Sequence, residues 1–389
     1  MTLSVRFVAS EQEIDDGLWA ACFPPPLEGR WWYHALEQAG LEDQFAFFYA
    51  LVEDQGRAVG IAPAFLMDMD IALVLPEAVL PLFRLAGRVW PSALYQRTLF
   101  VGSPCSDEGT VGLLPGVDRR AALMVLQRAF EAECRRRRAA MLVWKDMPQA
   151  AAADMAWLAG RARLFAAVSF PGAEADLPGP GKADFYAAMK GSRRYSLNRK
   201  LKRSRQLADL RAEVVRHPDP ALLEQIFALF WQTFERATTR FETLTPAFFQ
   251  ALAAQPESQF MLLRQAGDDR LVAFMLCFVQ GDHIINKFIG LDYACPRDWS
   301  LYFRLWDEVV DWASGLGVRV IQSGQTSYRA KVDMGHRLVP LTNYCRHVNP
   351  LIHWVYAKVA ASIGWASLDE DLATYLKSYA AEDLVKPLS

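Results

Sequence analysis

The sequence has almost no net charge. Its 42 lysines and arginines stand against 44 aspartates and glutamates, a formal −2 at pH 7. That excludes a histone-like or ribosomal-type polycation, although not a local basic patch. Cysteine patterning is also missing. Cys22, Cys105, Cys134, Cys277, Cys295 and Cys345 are scattered, with no CxxC pair and no Cys/His set at zinc spacing. The expectation is reduced, mostly buried thiols and no metal site. No apolar run is uninterrupted: the stretch 71–90 contains Glu77, Arg84, Arg88 and two prolines. It reads as a buried core segment rather than a membrane span or a membrane-surface element. The first residues show no basic stretch followed by an apolar one, so no signal peptide is expected and the location reads as cytoplasmic. Glycine and proline, 23 and 21 residues, are at ordinary levels, which excludes collagen-like or low-complexity architecture.

What is present is 389 residues, 52% hydrophobic and 22% charged, enough for two domains with separate cores. The run 171–182, PGAEADLPGPGK, holds three glycines and three prolines and reads as a loop. It divides the chain into expected domains 1–172 and 183–389, with 173–182 as linker. The halves share an order of elements. In the first, 45–52 and 58–66 form a hairpin across the turn 53–57. A helix over 118–138 and a strand over 140–144 follow. In the second, strands 259–264, 271–279 and 283–290 are followed by a helix over 299–314 and a strand over 318–322. In that helix Leu301, Leu305, Trp306, Val309 and Trp312 recur at helical spacing. Helices 220–238 and 246–254 precede the second hairpin. The order helix, helix, hairpin, strand, helix, strand occurs twice and suggests a duplicated α+β unit.

That order resembles the acyltransferase fold called GNAT. The segment 185–203 (FYAAMKGSRRYSLNRKLKR) resembles the opening of the tandem-GNAT, FemAB-like N-acyltransferases. Gly290-Leu-Asp-Tyr293, Leu301-Tyr-Phe303, the run 324–331 (GQTSYRAK), the run 335–341 (GHRLVPL) and the run 346–351 (RHVNPL) resemble the C-terminal part of the same group. The resemblance implies an α+β fold of two tandem GNAT-like units, each a mixed sheet flanked by helices. It implies acyl or aminoacyl transfer to an amine, with the second unit holding the donor and the reactive centre. No permanently bound cofactor is implied; the co-substrate would be acyl-CoA or an acyl carrier protein, with aminoacyl-tRNA as the alternative. The acceptor would be a small-molecule or peptide amine. The glycine-bearing phosphate loop of ordinary GNAT enzymes is absent: the corresponding 294–300, ACPRDWS, has no glycine. Its backbone N–H groups are therefore less free to approach a pyrophosphate. This departure weakens coenzyme A as donor, and it also supports a third reading, a non-catalytic binding protein on the same scaffold.

N-acyl transfer needs a deprotonated amine, a polarised carbonyl and a protonated leaving group. The segment 190–205 holds Lys190, Arg193, Arg194, Arg199, Lys200, Lys202, Arg203 and Arg205 with no acidic residue. It reads as a capture surface for an anionic donor, carrier protein or tRNA, with Arg193, Arg194, Arg199 and Lys202 as candidates. Arg135 to Arg138 reads instead as cations favoured at a helix C-terminus. Ser300 or Asp298 is expected to cap the helix after the glycine-less loop. Gln325, Tyr328, Arg329 and Lys331 follow a core strand and offer donors to a carbonyl or carboxylate, Tyr328 being a catalytic candidate. Lys287, inside an apolar strand, needs a partner, and Asp292 is the expected one. Asp292 and Glu235 are the candidate bases. His336 is a possible site residue, although a plain hydrogen-bonding histidine is more common. The aromatic groups 31–34 and 354–356 are expected in the core or between domains.

Overall fold

Strand by strand, alternation and turn chemistry set the sheets. The computed structural model describes residues 3–70, 95–237 and 242–378, together with Pro81, Leu85 and Arg88. The rest of the apolar run 71–90 lies outside the described residues. The first half contributes β1 (Leu3–Val8), β2 (Ala46–Asp54), β3 (Arg57–Asp70), β4 (Tyr95–Val101), β5 (Gly112–Leu113), β6 (Met141–Pro148) and β7 (Phe165–Val168). Then come β8 (Gly172–Asp176), β9 (Leu210–Val215), β10 (Ser258–Gln265), β11 (Leu271–Gln280), β12 (His283–Leu291), β13 (Val320–Ser323), β14 (Arg337–Val339) and β15 (Leu341–His347). The two hairpins and the third antiparallel strand of the second half fall where the alternation places them.

The strands form two mixed sheets. One runs β1-β2-β3-β4-β6-β15-β7, with β5 also on β3; the other, from the matching edge, runs β9-β10-β11-β12-β13-β8-β14. The two orders correspond place by place. In each, the fourth and fifth strands are parallel, β4 with β6 and β12 with β13. Each parallel pair is joined through a long helix, Arg119–Arg137 in the first half and Leu301–Leu316 in the second, as a parallel connection requires. The fold is therefore α+β, two GNAT-like units in tandem.

The sixth place in each sheet is filled from outside its own unit. β15, near the end of the described chain, lies between β6 and β7 of the first sheet. β8 lies between β13 and β14 of the second. The units thus exchange strands reciprocally. This corrects the reading of 171–182 as a loop, and with it the 173–182 linker. Ala173 and Ala175 are buried while Glu174 and Asp176 face the other side and pair with Arg337. The flanking glycines and prolines hid a two-residue alternation.

Helix Leu301–Leu316 buries Leu305, Trp306, Val309, Val310 and Ala313 against the second sheet and ends at Gly317, whose φ is 74°. Each such large apolar side chain contributes roughly 1.5–3 kcal/mol on leaving water. Asp118 caps helix Arg119–Arg137 by accepting from the Ala121 N–H at 3.1 Å. One apolar cluster runs between the units. Trp32 packs edge-on against Phe248 and Phe278, each with ring centroids 5.8 Å away. The aromatic group 31–34 is thus interfacial, as expected, whereas Trp354 of the group 354–356 is 59% exposed. All six cysteines are free.

Candidate functional site

β12 and β13 pair from His283–Val320 to Asn286–Ser323, and among the described residues no backbone pairing continues beyond. The strands part into a wedge. At the same level the β11–β12 register slips. Leu276 faces Phe288 and Cys277 faces Asn286, so Lys287 has no residue opposite.

The slip aims Lys287 at the first unit. Its ammonium lies 2.8 Å from Glu28 Oε1, 3.4 Å from Asp107 Oδ1 and 4.8 Å from the centre of the Trp32 ring. The side chain is 2% exposed. Burial alone would lower its pKa, but Asp107 and Glu28 more than offset that and raise it. Lys287 is therefore a fixed cation. Asp292, the partner expected from sequence, instead pairs with Arg270 and accepts from the Ala294 N–H at 2.9 Å. At the end of β12, its carboxylate is turned toward the β10–β11 turn.

Lys331, from helix Tyr328–Asp333, reaches the wedge on the β13 side, where its ammonium donates to the Gly324 carbonyl. Burial pushes its pKa down to about 8, opposed only by Asp107. His336 accepts or donates at 3.3 Å from Ser323 Oγ, and its Nδ1 lies 2.8 Å from the Lys331 carbonyl. The carbonyl fixes the proton on Nδ1 and leaves Nε2 as acceptor for the serine hydroxyl. The arrangement looks like a nucleophile–base pair. However, burial and the Lys331 cation push His336 down to about 3, too weak to take a serine proton. The pair braces the end of β13.

From the first unit, the loop between β4 and β5 delivers Ser103 to Glu108. Asp107 is buried against Lys287, and a Cβ on Gly324 would sit 3.5 Å from Asp107 Oδ1. Glu108 is half-buried, and burial together with Glu28, Glu174 and Asp107 pushes its pKa up to about 7. Beside it Lys145 pairs with Asp146, and the Cys105 N–H donates to Glu242 at 3.2 Å. Burial pushes the Cys105 thiol well up, with Glu242 adding to the rise, so it is no ready nucleophile. Two surface hollows, one lined by Leu223, Phe227 and Pro246 and one by Glu42, Asp68 and Arg97, involve none of this cluster. Among the described residues no group of His, Cys, Asp and Glu is arranged for a metal.

The wedge thus gathers Lys287, Lys331 and His336 from the sequence-derived candidates and leaves others elsewhere. Tyr328 is buried and its hydroxyl donates to the Pro171 carbonyl at 2.9 Å, so it ties β8 down rather than facing the wedge. Gln325 likewise donates to the Phe170 carbonyl at 3.2 Å. Glu235 is exposed at the end of helix Pro220–Arg236, accepting from Trp231 Nε1 at 3.0 Å. Ser300 caps helix Leu301–Leu316 through its carbonyl, not its side chain, and Asp298 is held by Arg203.

The basic segment forms helix Gly191–Leu207, buried on Leu197, Leu201 and Ser204. Most of its charge is already engaged. Arg194 donates to carbonyls of Tyr186 and Ala187, Arg205 pairs with Asp307, and Lys200 stands 3.5 Å over the Phe303 ring. Lys190 and Arg193 also have partners. Among the described residues, Arg199 and Lys202 are the exposed cations of this helix without one. Arg329, exposed on the neighbouring helix, helps hold the Lys200 pKa down.

Sequence reading missed Glu28, Asp107 and Glu108. The signal for the last two was an adjacent acidic pair ahead of Gly109, in a polar loop that follows a buried strand. Glu28 carried none.

Residues 191–332 match the acetyltransferase (GNAT) domain family. No curated protein matches the chain in sequence. In fold the chain is similar to FemX, with a TM-score of 0.60 at 10% identity over 92% of this chain and 100% of that one. It is similar to L-PGS from Bacillus licheniformis, with 0.52 at 11% identity over 87% and 98%. A tandem GNAT protein from the clavulanic acid biosynthesis pathway gives 0.51 at 14% identity over 90% and 99%. At such identities the likeness is one of fold. Among the described residues no helix is long and apolar enough to cross a membrane.

Proposed function

We propose that this chain, whose second half carries a GNAT acetyltransferase domain, transfers an acyl group from a thioester, acyl-CoA or acyl carrier protein, to an amine. The observation that carries the reading is the wedge: β12 and β13 part after Asn286 and Ser323, with the register slip at Lys287 on one side and Lys331 on the other. A thioester laid between the strands would find donors at the carbonyl. Lys331, half-way to losing its charge near pH 8, can balance a developing oxyanion. Exposed Arg199, Lys202 and Arg329, near the start of helix Leu301–Leu316, suit a few phosphates of the donor. The acceptor amine enters from the first unit, whose carboxylates Glu28, Asp107 and Glu108 line the other wall.

A tRNA donor fits less well. An extended phosphate backbone needs many uncommitted cations, and helix Gly191–Leu207 has spent most of its charge internally. The FemX likeness, by itself, concerns the fold.

The test is donor dependence. The full chain is given acetyl-CoA, an acetylated carrier protein or aminoacyl-tRNA, with a panel of primary amines, and thiol release and amide product are followed. Amine-dependent thiol release, reduced roughly 100-fold or more in Lys331→Met, supports the reading. Transfer from aminoacyl-tRNA alone overturns it.

A further inference from the structure

We propose that Glu108, a residue of the first unit, is the base that deprotonates the acceptor amine in the second unit's wedge. The inference rests on the acyl-transfer reading and replaces Asp292 and Glu235 in that role.

Each of the other carboxylates around the wedge has at least one partner, although Asp107 Oδ2 is buried without one. Glu28 and Asp107 hold Lys287, Asp146 holds Lys145, Glu174 holds Arg337 and Glu242 accepts from the Cys105 N–H. Among the described residues Glu108 has no hydrogen-bond or ion-pair partner. A carboxylate left without a cation inside such a cluster is costly unless something else visits it.

Its backbone is also held from both sides. Asp107 before it is fixed by Lys287 across the interface. Gly109 after it donates its N–H to the Asp146 carbonyl at 2.8 Å and lies so close to Lys145 that a Cβ would be 1.8 Å from the Lys145 carbonyl oxygen. The loop is held on both sides, and the carboxyl stands within reach of the charges of Glu28, Asp107 and Glu174, which belong to the Lys287 cluster and to the strand beside β13. Half-buried, it is accessible where Asp107 is not.

The groups facing it set its proton affinity. Burial raises it, and Glu28, Glu174 and Asp107 all add in the same direction, to about 7. The cations nearby are already shared, Lys287 between Glu28 and Asp107 and Arg337 between Glu174 and Asp176. A base of that strength can take a proton at neutral pH and give it back.

In the step, Glu108 first takes a proton from the ammonium form of the amine, leaving a neutral nitrogen that attacks the thioester carbonyl. As the N–C bond forms the C–S bond breaks with its electron pair on sulfur, and the proton the nitrogen then sheds passes to the thiolate, directly or through solvent. Glu108 returns its own proton to solvent, so ammonium plus thioester becomes amide, thiol and one released proton.

Two measurements on the full chain test this. First, carboxyl carbon NMR of ¹³C-glutamate-labelled protein, assigned by loss of one signal in Glu108→Gln, is expected to show that signal titrating near neutrality. Titration in the ordinary carboxylate range overturns the proposal. Second, acetyl-CoA and an acetylated carrier protein are turned over with butylamine or with hydroxylamine, which is already neutral at pH 7. Glu108→Gln is expected to lose butylamine transfer by roughly 100-fold or more and to flatten the acid limb of its pH profile. Hydroxylamine transfer should largely survive, and Glu108→Asp should recover part of the butylamine rate. Equal loss with both nucleophiles would make Glu108 a merely structural residue while leaving acyl transfer intact. No thiol release by the unaltered protein with either amine would instead remove the acyl-transfer reading, and the base with it.

Discussion

Two wedges occupy equivalent places in the two sheets, and they have met opposite fates. In the first, β4 and β6 pair as far as Val101–Trp144, and the space beyond is closed by the chain's own backbone. Gly109 donates to the Asp146 carbonyl and is packed against Lys145 with no room for a side chain. In the second, among the described residues, nothing of the backbone bridges β12 and β13 beyond Ser323. Side chains with charges line it instead, two of them carboxylates from the loop that seals the first wedge or its neighbourhood. One wedge is filled by backbone, and the other is bordered by charged side chains from both units. The same loop does both, which is why the site cannot be assigned to either unit alone.

The largest test of that contrast is Lys287→Met. It strands Glu28 and Asp107 without a cation in a buried place, and a loss of about 3–5 kcal/mol is expected in chemical denaturation. If the variant is as stable as the parent at pH 7, the Lys287 pairs with Glu28 and Asp107 do not hold the two units together.

Next comes a pair of glycines, one per wedge. Gly109→Ala forces a Cβ into the Lys145 carbonyl and should cost about 3 kcal/mol or prevent folding. Gly324→Ala places its Cβ 3.5 Å from Asp107 Oδ1, an ordinary contact, and should change stability by less than about 1 kcal/mol. Thermal melts of the two would erase the contrast if their order were reversed.

Glu108→Gln moves stability the other way. A carboxyl raised from 4.5 to about 7 is protonated more readily folded than unfolded, so its cost is absent below pH 4.5 and grows as pH climbs to 7. Above pH 7 the glutamine variant should be more stable, by at most about 2–3 kcal/mol. That gain, with loss of transfer, is what a site residue held against its own stability predicts. An unchanged pH–stability curve would remove the strain but not the contrast between wedges.

The smallest effect is expected on the surface. Arg199→Ser with Lys202→Ser should leave stability within about 0.5 kcal/mol, because neither residue has a partner among the described residues. The KM for a phosphate-bearing donor should rise several-fold and become less sensitive to salt. Steady-state kinetics at two ionic strengths measures this, and an unchanged KM would move donor capture away from this helix.

Much of the fold was legible in the chain. Helix Leu301–Leu316 announced itself through apolar residues at helical spacing, the hairpins through alternation across polar turns, and the duplication through element order. Part of the candidate cluster was legible for the same local reason: Lys287 is conspicuous in an apolar strand, and Lys331 and His336 follow a core strand. Other assignments failed where a neighbour distant in sequence decided the outcome. Tyr328 stands in the right loop but its hydroxyl is taken by Pro171, and Asp292 stands at the right strand end but belongs to Arg270. Most of the basic run is neutralised by acids and carbonyls that no spacing rule brings to it.

By itself, then, the sequence determined the elements and their order, because helix and strand preferences act between residues a few places apart. It also determined that charge would be concentrated before the second unit. Only the tertiary structure decided that β8 and β15 would change sheets, that one wedge would be sealed and the other kept, and that Glu28, Asp107 and Glu108 would meet Lys287. Those outcomes depend on which surfaces bury each other, and a lysine in an apolar strand acquires its meaning from the carboxylates that packing places against it.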